Sequence, residues 1–512
     1  MSVRVSTPSG EIIGLQKEGY EEFRGIPYAE QPIGVARFKA PEPLMPFDEP
    51  YVAETFKDSA PQEEIPLFGI TDTSEDCLYL NIWTPASDNK KRPVMVWIHG
   101  GAFITGAGSQ QIYKGKSLAV KGDVVVVTLN YRLGALGYLY LNDLLPEASG
   151  VSANNGLLDQ IEALRWVQKH IESFGGDPND ITLFGESAGA MSVATLMACP
   201  SAKGLFHKVI LQSGAADQAL TRDEATEIAQ GFLKAVDVSP SNPEKLWQLT
   251  PAQIVKAQRI SLQMSYNRGV FSQPVIQTGM TLLPVIDGTI LPQSPLSSLK
   301  QGESKHIPMM LGCTREEWNF FMKLPGAEGM LPANAPKEMS KHDLIKVCEA
   351  TVPGMGERVA NHYEKVIREA NPSASYNDIY SAIESDRIFR IPTLRQAEAQ
   401  SQHNEAVYLF HFDWDKGMFG ACHASDIPFV FGNPQEGAGQ FLTGGSEKAQ
   451  KLSSIVQSCW LAFTRSSDPS TDLVGKWPRF SKESRQAISF NDTTEVVNNP
   501  FATTQGIWEG VL

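Results

Sequence analysis

The sequence has no long apolar run, few cysteines and no block of like charges. The absence of any run of about 18 apolar residues predicts that no helix spans a membrane. The six cysteines are scattered, without a C-x-x-C pair and without metal-ligand spacing alongside the nine histidines. These absences exclude a zinc scaffold and a dense disulfide framework, and they predict no metal site and free, buried thiols.

Basic surface character is also missing, because the formal net charge is −14. Nucleic-acid-binding proteins and proteins of anionic membrane surfaces carry an excess of Lys and Arg, so neither partner is expected. The first residues, from Met1 to Pro8, lack a basic region followed by an apolar stretch, which predicts no signal peptide. With the free thiols, this favours a cytoplasmic location, and removal of a leader peptide stays open as the alternative.

From about residue 93, the chain alternates between short apolar runs and amphipathic stretches. An apolar spacing of three to four residues predicts a helix over Leu157–Phe174, stopped by Gly175 and Gly176. The apolar runs lack polar alternation, as in strands buried on both faces of a parallel sheet. They are Pro93–His99, Val124–Leu129, Ile181–Phe184, Lys208–Gln212, Pro308–Gly312 and Ala406–Phe412. The pattern predicts a doubly wound α/β core with flanking helices.

Two polar stretches interrupt this alternation, at about residues 217–280 and 337–400. Both read as helical and neither shows a clear strand pattern. We expect them to be helical insertions that cap a pocket above the sheet. Residues 1–512 are accordingly predicted to form one domain.

A nucleophile motif lies between an apolar strand and a helix. The residues Gly185–Gly189 match G-x-S-x-G, in which a tight turn lifts a serine hydroxyl above the sheet. A glycine-rich turn with a solvated serine would also match the five letters, but it does not explain the flanking strand and helix. Ser187 is therefore the candidate nucleophile, and it requires a nearby base.

The base and the acid are expected after the serine, in the order serine, acid, histidine. His423 is the candidate base because it follows a predicted core strand in a loop of small residues, whereas His411 lies within the strand. The loop after Pro308–Gly312 offers two acids, Glu316 and Glu317. The pattern alone does not choose between them.

A third motif, His99-Gly100-Gly101-Ala102-Phe103, ends an early strand. This position is where backbone N–H groups stabilise the oxyanion of an acyl-transfer intermediate. The residue after the nucleophile, Ala188, supplies a further N–H group. His99 precedes the serine and is expected to have a structural role.

Taken together, these motifs resemble the type-B carboxylesterase family, which includes bacterial para-nitrobenzyl esterases and animal cholinesterases. The resemblance extends almost from end to end. It is carried by Phe23–Ala29, Arg37-Phe38, Glu75–Ile82, Asn130–Arg132, Phe174–Gly189, Pro284–Gly288 and Ile427–Gly432. It implies an α/β-hydrolase fold and a serine esterase.

The resemblance also assigns individual residues. Thr314–Trp318 is similar to the family's T-R-D-E-G, and this similarity places the acid on Glu317. The oxyanion donors fall on Gly101, Ala102 and Ala188. Two buried ion pairs are implied as structural contacts, namely Arg37 with Glu75 and Arg132 with Asp159.

Three positions depart from the family pattern. Trp318 replaces the usual glycine after the acid, and we expect this to reshape the loop while leaving the carboxylate in place. Cys77 has no upstream cysteine, so the disulfide of secreted relatives cannot form there. The segment Pro66–Ile70 lacks the tryptophan with which cholinesterases bind choline, and this argues against a choline-ester specialist.

The sequence thus predicts a carboxylic ester hydrolase that acts through Ser187, Glu317, His423 and a covalent acyl-enzyme, without a cofactor. Small to medium esters are the expected substrates. An amidase or carbamate hydrolase with the same triad, an interfacial lipase and a non-catalytic adhesion module remain as alternatives. Whether the chain is a monomer or a dimer stays open.

Overall fold

The computed structural model describes residues 1–145, 150–239, 241–268, 280–324 and 338–510, apart from the side chains of residues 67 and 260–268. Within these residues one sheet of 13 strands runs through the molecule in the order β1-β2-β3-β5-β7-β6-β8-β9-β10-β11-β12-β13, with β4 beside β2. The strands are β1 Ser2–Thr7, β2 Gly10–Lys17, β3 Tyr20–Pro27, β4 Tyr51–Val52, β5 Tyr79–Thr84, β6 Arg92–Ile98, β7 Val125–Leu129, β8 Gly176–Glu186, β9 Lys208–Gln212, β10 Met309–Thr314, β11 Val407–Phe412, β12 Gln486–Phe490 and β13 Thr494–Asn498.

The middle of the sheet is parallel. Strands β7, β6, β8, β9, β10, β11 and β12 pair in parallel, whereas β1, β2, β3 and β5 form an antiparallel side and β13 an antiparallel edge. The α/β-hydrolase fold with a mostly parallel central sheet is therefore confirmed. The carboxyl ends of the parallel strands meet at one edge, where such folds place their ligands.

Helices flank this sheet on both faces, because the parallel strands need crossover connections. The described α-helices are Lys116–Gly122, Gly134–Tyr138, Asn155–His170, Ala188–Leu196, Arg222–Ala235, Lys245–Gln248, Pro251–Arg268, Pro295–Lys300, Asn319–Lys323, Lys341–Thr351, Gly356–Ala370, Tyr376–Glu384, Ile391–Ser401, Ile427–Phe431, Gly437–Thr443 and Glu447–Ser466. The helix predicted over Leu157–Phe174 is an α-helix to His170 and a 3-10 turn to Phe174, and Gly175 ends it at φ 80°. In the described residues no helix is long and apolar enough to cross a membrane.

The core lies on both faces of the sheet. In β6, Val94, Val96 and Ile98 pack into one apolar cluster, while Met95 and Trp97 pack into the other, and all five are fully buried. Successive side chains of a strand point to opposite faces, so a run without polar alternation fits a strand covered on both sides. The apolar runs of the sequence behave in this way.

The two stretches predicted as insertions contain several helices. Residues 217–280 include Arg222–Ala235, which begins with a capping box between Thr221 and Glu224. Residues 337–400 include helices that begin with capping boxes at Ser340 and Ser375. Residues 240, 269–279 and 337 of these stretches lie outside the described residues.

Two ion pairs form where the resemblance implied them, and Arg132 with Asp159 is fully buried whereas Arg37 with Glu75 is partly buried. Arg37 contacts both carboxylate oxygens of Glu75, at 2.6 and 2.5 Å. Arg132 contacts both oxygens of Asp159, at 2.8 and 2.7 Å. Bidentate geometry satisfies several donors of each guanidinium at once, which offsets the cost of removing both charges from water.

Candidate active site

Ser187 lies in a strained turn at the carboxyl end of β8. Its backbone has φ 55° and ψ −128°, a region that residues with a Cβ rarely adopt. The flanking glycines allow this turn, because a Cβ on Gly185 would lie 2.6 Å from the backbone carbon of Gly189, and a Cβ on Gly189 would collide with the carbonyl of Ile98. The G-x-S-x-G pattern is therefore a requirement for close packing between the turn and β6.

Glu317 and His423 form a buried hydrogen-bonded pair. Oε2 of Glu317 lies 2.7 Å from Nδ1 of His423, and the backbone N–H of His423 donates to the carbonyl of Glu317 at 3.2 Å. The second oxygen of Glu317 accepts hydrogen bonds from the Thr314 N–H at 2.7 Å and the Ser213 hydroxyl at 2.6 Å. With these contacts the carboxylate is fixed in one orientation and directs the proton of His423 to Nδ1.

The neighbouring acid, Glu316, holds the histidine loop through contacts with Ala421. Its N–H donates to the carbonyl of Ala421, and its Oε2 accepts from the N–H of Ala421 at 2.9 Å. A Cβ on Gly420, which has φ 75°, would collide with this carboxylate. The structure therefore separates the two glutamates that the sequence pattern could not.

The loop after β6 presents the predicted oxyanion donors. Gly101 has φ 111°, and a Cβ there would collide with the carbonyl of Thr105. Ala102 and Phe103 follow at φ 53° and 61°, so the chain turns sharply. Among the described residues, the N–H groups of Gly101, Ala102 and Ala188 donate no hydrogen bond within the chain. Three backbone donors are thus available for a ligand oxygen.

Gln62 and His99 hold this loop from behind. Oε1 of Gln62 accepts from the Thr105 hydroxyl and the Gly106 N–H, each at 2.7 Å. The His99 ring stacks on Tyr131 with centroids 4.5 Å apart, and burial lowers the pKa of His99 to about 4. A neutral, packed imidazole agrees with the structural role expected for His99.

Glu186 approaches the other nitrogen of the candidate base. Its Oε1 lies 3.0 Å from Nε2 of His423, at an angle that forms no hydrogen bond. Burial raises the pKa of Glu186 to about 8. For His423, burial disfavours the charged ring, but Glu186, Glu317 and Asp426 outweigh it and raise its pKa to about 9. The two groups are coupled, because a protonated Glu186 no longer favours the imidazolium.

Asp426 is a third buried acid that acts on His423, with Glu186 and Glu317. Its Oδ2 accepts from Nε2 of Gln212 at 2.8 Å, and Oε1 of Gln212 accepts from the indole of Trp460 at 3.3 Å. Burial raises the pKa of Asp426 to about 6. In the described residues no group of acidic, histidine and cysteine side chains has the arrangement of a metal site.

Sequence reasoning missed several residues of this site. Ser213 lies 104 positions from its partner Glu317, and Gln62 lies 43 positions from its partner Thr105. Because these contacts join distant segments, no local sequence pattern reveals them. Glu186 lies in the G-x-S-x-G motif at a letter that the motif leaves variable. Asp426 was visible as an acid three residues after His423, on the same loop.

Trp318, the departure beside the acid, adopts φ −74° and ψ −12°. This is ordinary helical backbone, so the position does not require glycine. The Trp318 ring packs on Phe321 at 4.6 Å between centroids, and Phe321 packs on His423 at 5.1 Å. The substitution therefore adds apolar surface beside the base and leaves the carboxylate of Glu317 in place.

Comparisons with known proteins identify relatives that match almost the whole chain. The model of the carboxylesterase family matches residues 1–508. The para-nitrobenzyl esterase of Bacillus subtilis (strain 168) is 35% identical over 506 residues, which cover 97% of this chain and 96% of that protein. Carboxylesterase 4A of Bos taurus is 32% identical over 524 residues, which cover 96% and 91%. The crystal structure of a Geobacillus stearothermophilus carboxylesterase at pH 6.2 superposes with a TM-score of 0.86 at 34% identity and covers 99% of both chains.

Proposed function

Because the chain belongs to the carboxylesterase family and is a serine carboxylic ester hydrolase, we propose that Ser187 is its nucleophile, His423 its base and Glu317 the acid that orients His423. The observations that carry the proposal are the 2.7 Å contact between Glu317 and His423 and a serine held at φ 55° next to Glu186, whose Oε1 lies 3.0 Å from Nε2 of His423. The carboxylate of Glu317 binds Nδ1 and leaves Nε2 to accept the serine proton. This is the arrangement that a weakly nucleophilic hydroxyl requires.

The reaction follows from these positions in two halves. Nε2 of His423 takes the proton of the Ser187 hydroxyl as the oxygen bonds to the ester carbonyl carbon. The resulting oxyanion receives hydrogen bonds from Gly101, Ala102 and Ala188, and each such donor is worth about 3 kcal/mol in the transition state. The intermediate collapses, and the leaving alcohol takes the proton from His423. Water then attacks the acyl-enzyme by the same route, which releases the acid and restores Ser187.

A covalent label tests the nucleophile. An organophosphate phosphorylates the activated serine, so intact-mass measurement should show one adduct on the wild-type protein. Ser187→Ala should show none, whereas Ser201→Ala, at an exposed serine of a 3-10 turn, should label like the wild type. An adduct that persists in Ser187→Ala would reject the assignment.

For the substrate, we propose apolar esters of small to medium size. Phe320, Phe321 and Phe389 place their ring centroids 6.1, 5.1 and 4.7 Å from that of His423. Such rings favour apolar acyl or alcohol groups over charged ones. Para-nitrophenyl acetate should be hydrolysed at a rate at least about a hundredfold above 4-nitroacetanilide. Equal rates would favour an amidase.

We further propose that the chain is one domain with two helical insertions and that it works in the cytoplasm. In favour of this location, all six cysteines are buried and unpaired. Thiols of this kind persist in a reducing compartment. If the chain is one domain, limited proteolysis should yield no stable fragment that contains only part of the sheet. Fractionation of the source cells should recover the activity in the cytoplasm.

A further inference from the structure

A short π-helical segment, Ser385–Arg390, interrupts the helical stretch between Tyr376–Glu384 and Ile391–Ser401. Its defining hydrogen bond runs from the Ile391 N–H to the carbonyl of Asp386, five residues back. Ser385 through Phe389 are buried. Segments of this kind are rare, poorly favoured by the backbone alone, and frequent at functional sites.

The π-helical segment contacts the candidate base and the residue that follows the candidate acid. The Phe389 ring lies 4.7 Å from the His423 ring, centroid to centroid, at 39° between planes. The hydroxyl of Ser385 accepts the N–H of Trp318, the residue after Glu317, at 3.0 Å. One turn of chain therefore contacts the candidate base and the segment that carries the candidate acid.

Phe389 belongs to an aromatic group around the imidazole. Phe321 lies parallel to Phe389, with an interplanar angle of 5° and centroids 6.2 Å apart, and it also packs on His423. His423 is only 4% exposed. The rings restrict rotation of the imidazole and exclude water from it, and exclusion of water disfavours the charged form.

Buried polar contacts hold the π-helical segment in place. Glu384 and Arg387 form a bidentate pair at 2.9 and 2.5 Å, and Asp386 pairs with Arg390 at 2.7 Å. The Tyr363 hydroxyl donates to the second oxygen of Asp386. The indole N–H of Trp508 in turn donates to the Tyr363 oxygen at 2.7 Å. A connected chain therefore links Trp508, 85 positions beyond His423, to the turn that carries Phe389.

We propose that Phe389 is a positioning residue for His423, and that the π-helical segment, held by the hydrogen-bonded chain Trp508–Tyr363–Asp386, sets its place. This inference rests on the proposed role of His423 as base. Phe389 acts through the histidine: its ring restricts the imidazole and keeps water from its face. It makes no bond in the reaction.

The charged groups that face His423 come from other elements. They are Glu186 at the end of β8, Glu317 after β10 and Asp426 on the histidine's own loop. The described charges of the π-helical segment are engaged with one another or with Glu384. Removal of the Phe389 ring therefore leaves those charges unchanged and admits water to the imidazole, which favours the protonated form.

The first test is the pH profile of kcat/KM for para-nitrophenyl acetate in Phe389→Ala. We expect the acid limb to move to higher pH, because water favours the protonated imidazole, which cannot accept the serine proton. We expect kcat to fall about tenfold, because a freer ring is less often in the productive orientation. Phe389→Leu keeps apolar bulk and should restore part of both effects. An acid limb that stays at the wild-type pH, with only KM changed, would overturn the proposal and leave Phe389 as pocket lining.

A second pair of variants tests the link through Trp508. Trp508→Phe keeps a buried ring and loses the N–H group, so the acid limb should move in the same direction by a smaller amount. Trp477→Phe is the matched control, because Trp477 is equally buried and its N–H donates to Leu409 at 3.1 Å. Both variants should lower Tm, but only Trp508→Phe should move the limb. An acid limb at the same pH in Trp508→Phe and Trp477→Phe would overturn the link through Trp508.

Failure of the proposed triad gives a different result. His423→Ala must abolish the acid limb and lower kcat by several orders of magnitude. If that variant keeps the wild-type profile, the assignment of the base is wrong. If it loses activity while Phe389→Ala keeps the wild-type limb, only the positioning role is wrong.

Discussion

Oε1 of Glu186 lies 3.0 Å from Nε2 of His423, the ring nitrogen opposite the one that Glu317 binds. The imidazole therefore lies between two buried carboxyl groups, one at each ring nitrogen. Both pKa values are raised, that of Glu186 to about 8 by burial and that of His423 to about 9 by its acidic neighbours against burial. Because the base must be neutral to accept the serine proton, the Glu186 carboxylate favours the inactive, protonated form of His423.

The first prediction concerns this pair. Glu186→Gln removes a negative charge that favours the imidazolium, so the pKa of His423 falls and the ring stays neutral to lower pH. The reference pKa of histidine is about 6.5, and the acidic neighbours of His423 raise it, so we expect the acid limb of kcat/KM above pH 6.5 in the wild type. In Glu186→Gln this limb should move to lower pH. Measurement of para-nitrophenyl acetate hydrolysis against pH checks this. A limb that stays in place or moves upward would exclude Glu186 as the charge that raises it.

The two adjacent glutamates give a matched comparison. Glu317→Gln removes the carboxylate that holds Nδ1 of His423, and kcat should fall by about 10⁴. Glu316→Gln keeps the contacts of Glu316 with Ala421 in part and leaves Glu317 untouched, so kcat should fall by less than about tenfold. Circular dichroism and Tm should show that both variants fold. A larger loss in Glu316→Gln than in Glu317→Gln would reverse the assignment of the acid.

Substitutions at two adjacent positions of the oxyanion loop, Gly101 and Ala102, should have contrasting effects on kcat. Gly101→Ala places a Cβ against the Thr105 carbonyl at φ 111°, so the loop must shift and kcat should fall by about 10² to 10³. Ala102→Gly relieves a residue at φ 53° and should change kcat by less than about threefold. Steady-state kinetics with para-nitrophenyl acetate measure both. A tolerated Gly101→Ala would mean that its N–H is not an oxyanion donor.

The cysteines allow a test that does not depend on catalysis. All six are buried, and burial raises the pKa of those closest to Glu317, Cys313 and Cys422. A thiol reagent should therefore react with the native protein only slowly, and with six groups after denaturation without reductant. The same titration after reduction supplies the control. A count that increases on reduction would reveal disulfides and would contradict the cytoplasmic proposal.

The local sequence was sufficient for the parallel strands β6 to β11 and for the strained turn, but β1 to β5, β12 and β13 were not predicted. Apolar runs predicted β6, β7, β9, β10 and β11 to within two residues, because a strand buried on both faces must be apolar throughout. Strand β8 is longer than predicted, since it begins at Gly176 and pairs there with Arg92 before a shift in register. Gly185, Ser187 and Gly189 were readable because the elbow needs those residue types within five positions.

What only the tertiary structure decided are the contacts between distant segments. The family resemblance assigned the acid to Glu317, but the physical reason is tertiary: the carboxylate of Glu317 contacts His423, 106 residues away, and neighbouring residues do not encode that contact. The partners Ser213, Glu186 and Asp426 converge because the carboxyl ends of β8, β9, β10 and β11 meet at one edge of the sheet. The π-helical segment likewise has no signature of its own. Contacts with Tyr363, Trp508 and Trp318, the residue after Glu317, hold its backbone. These contacts exist only once the chain is folded.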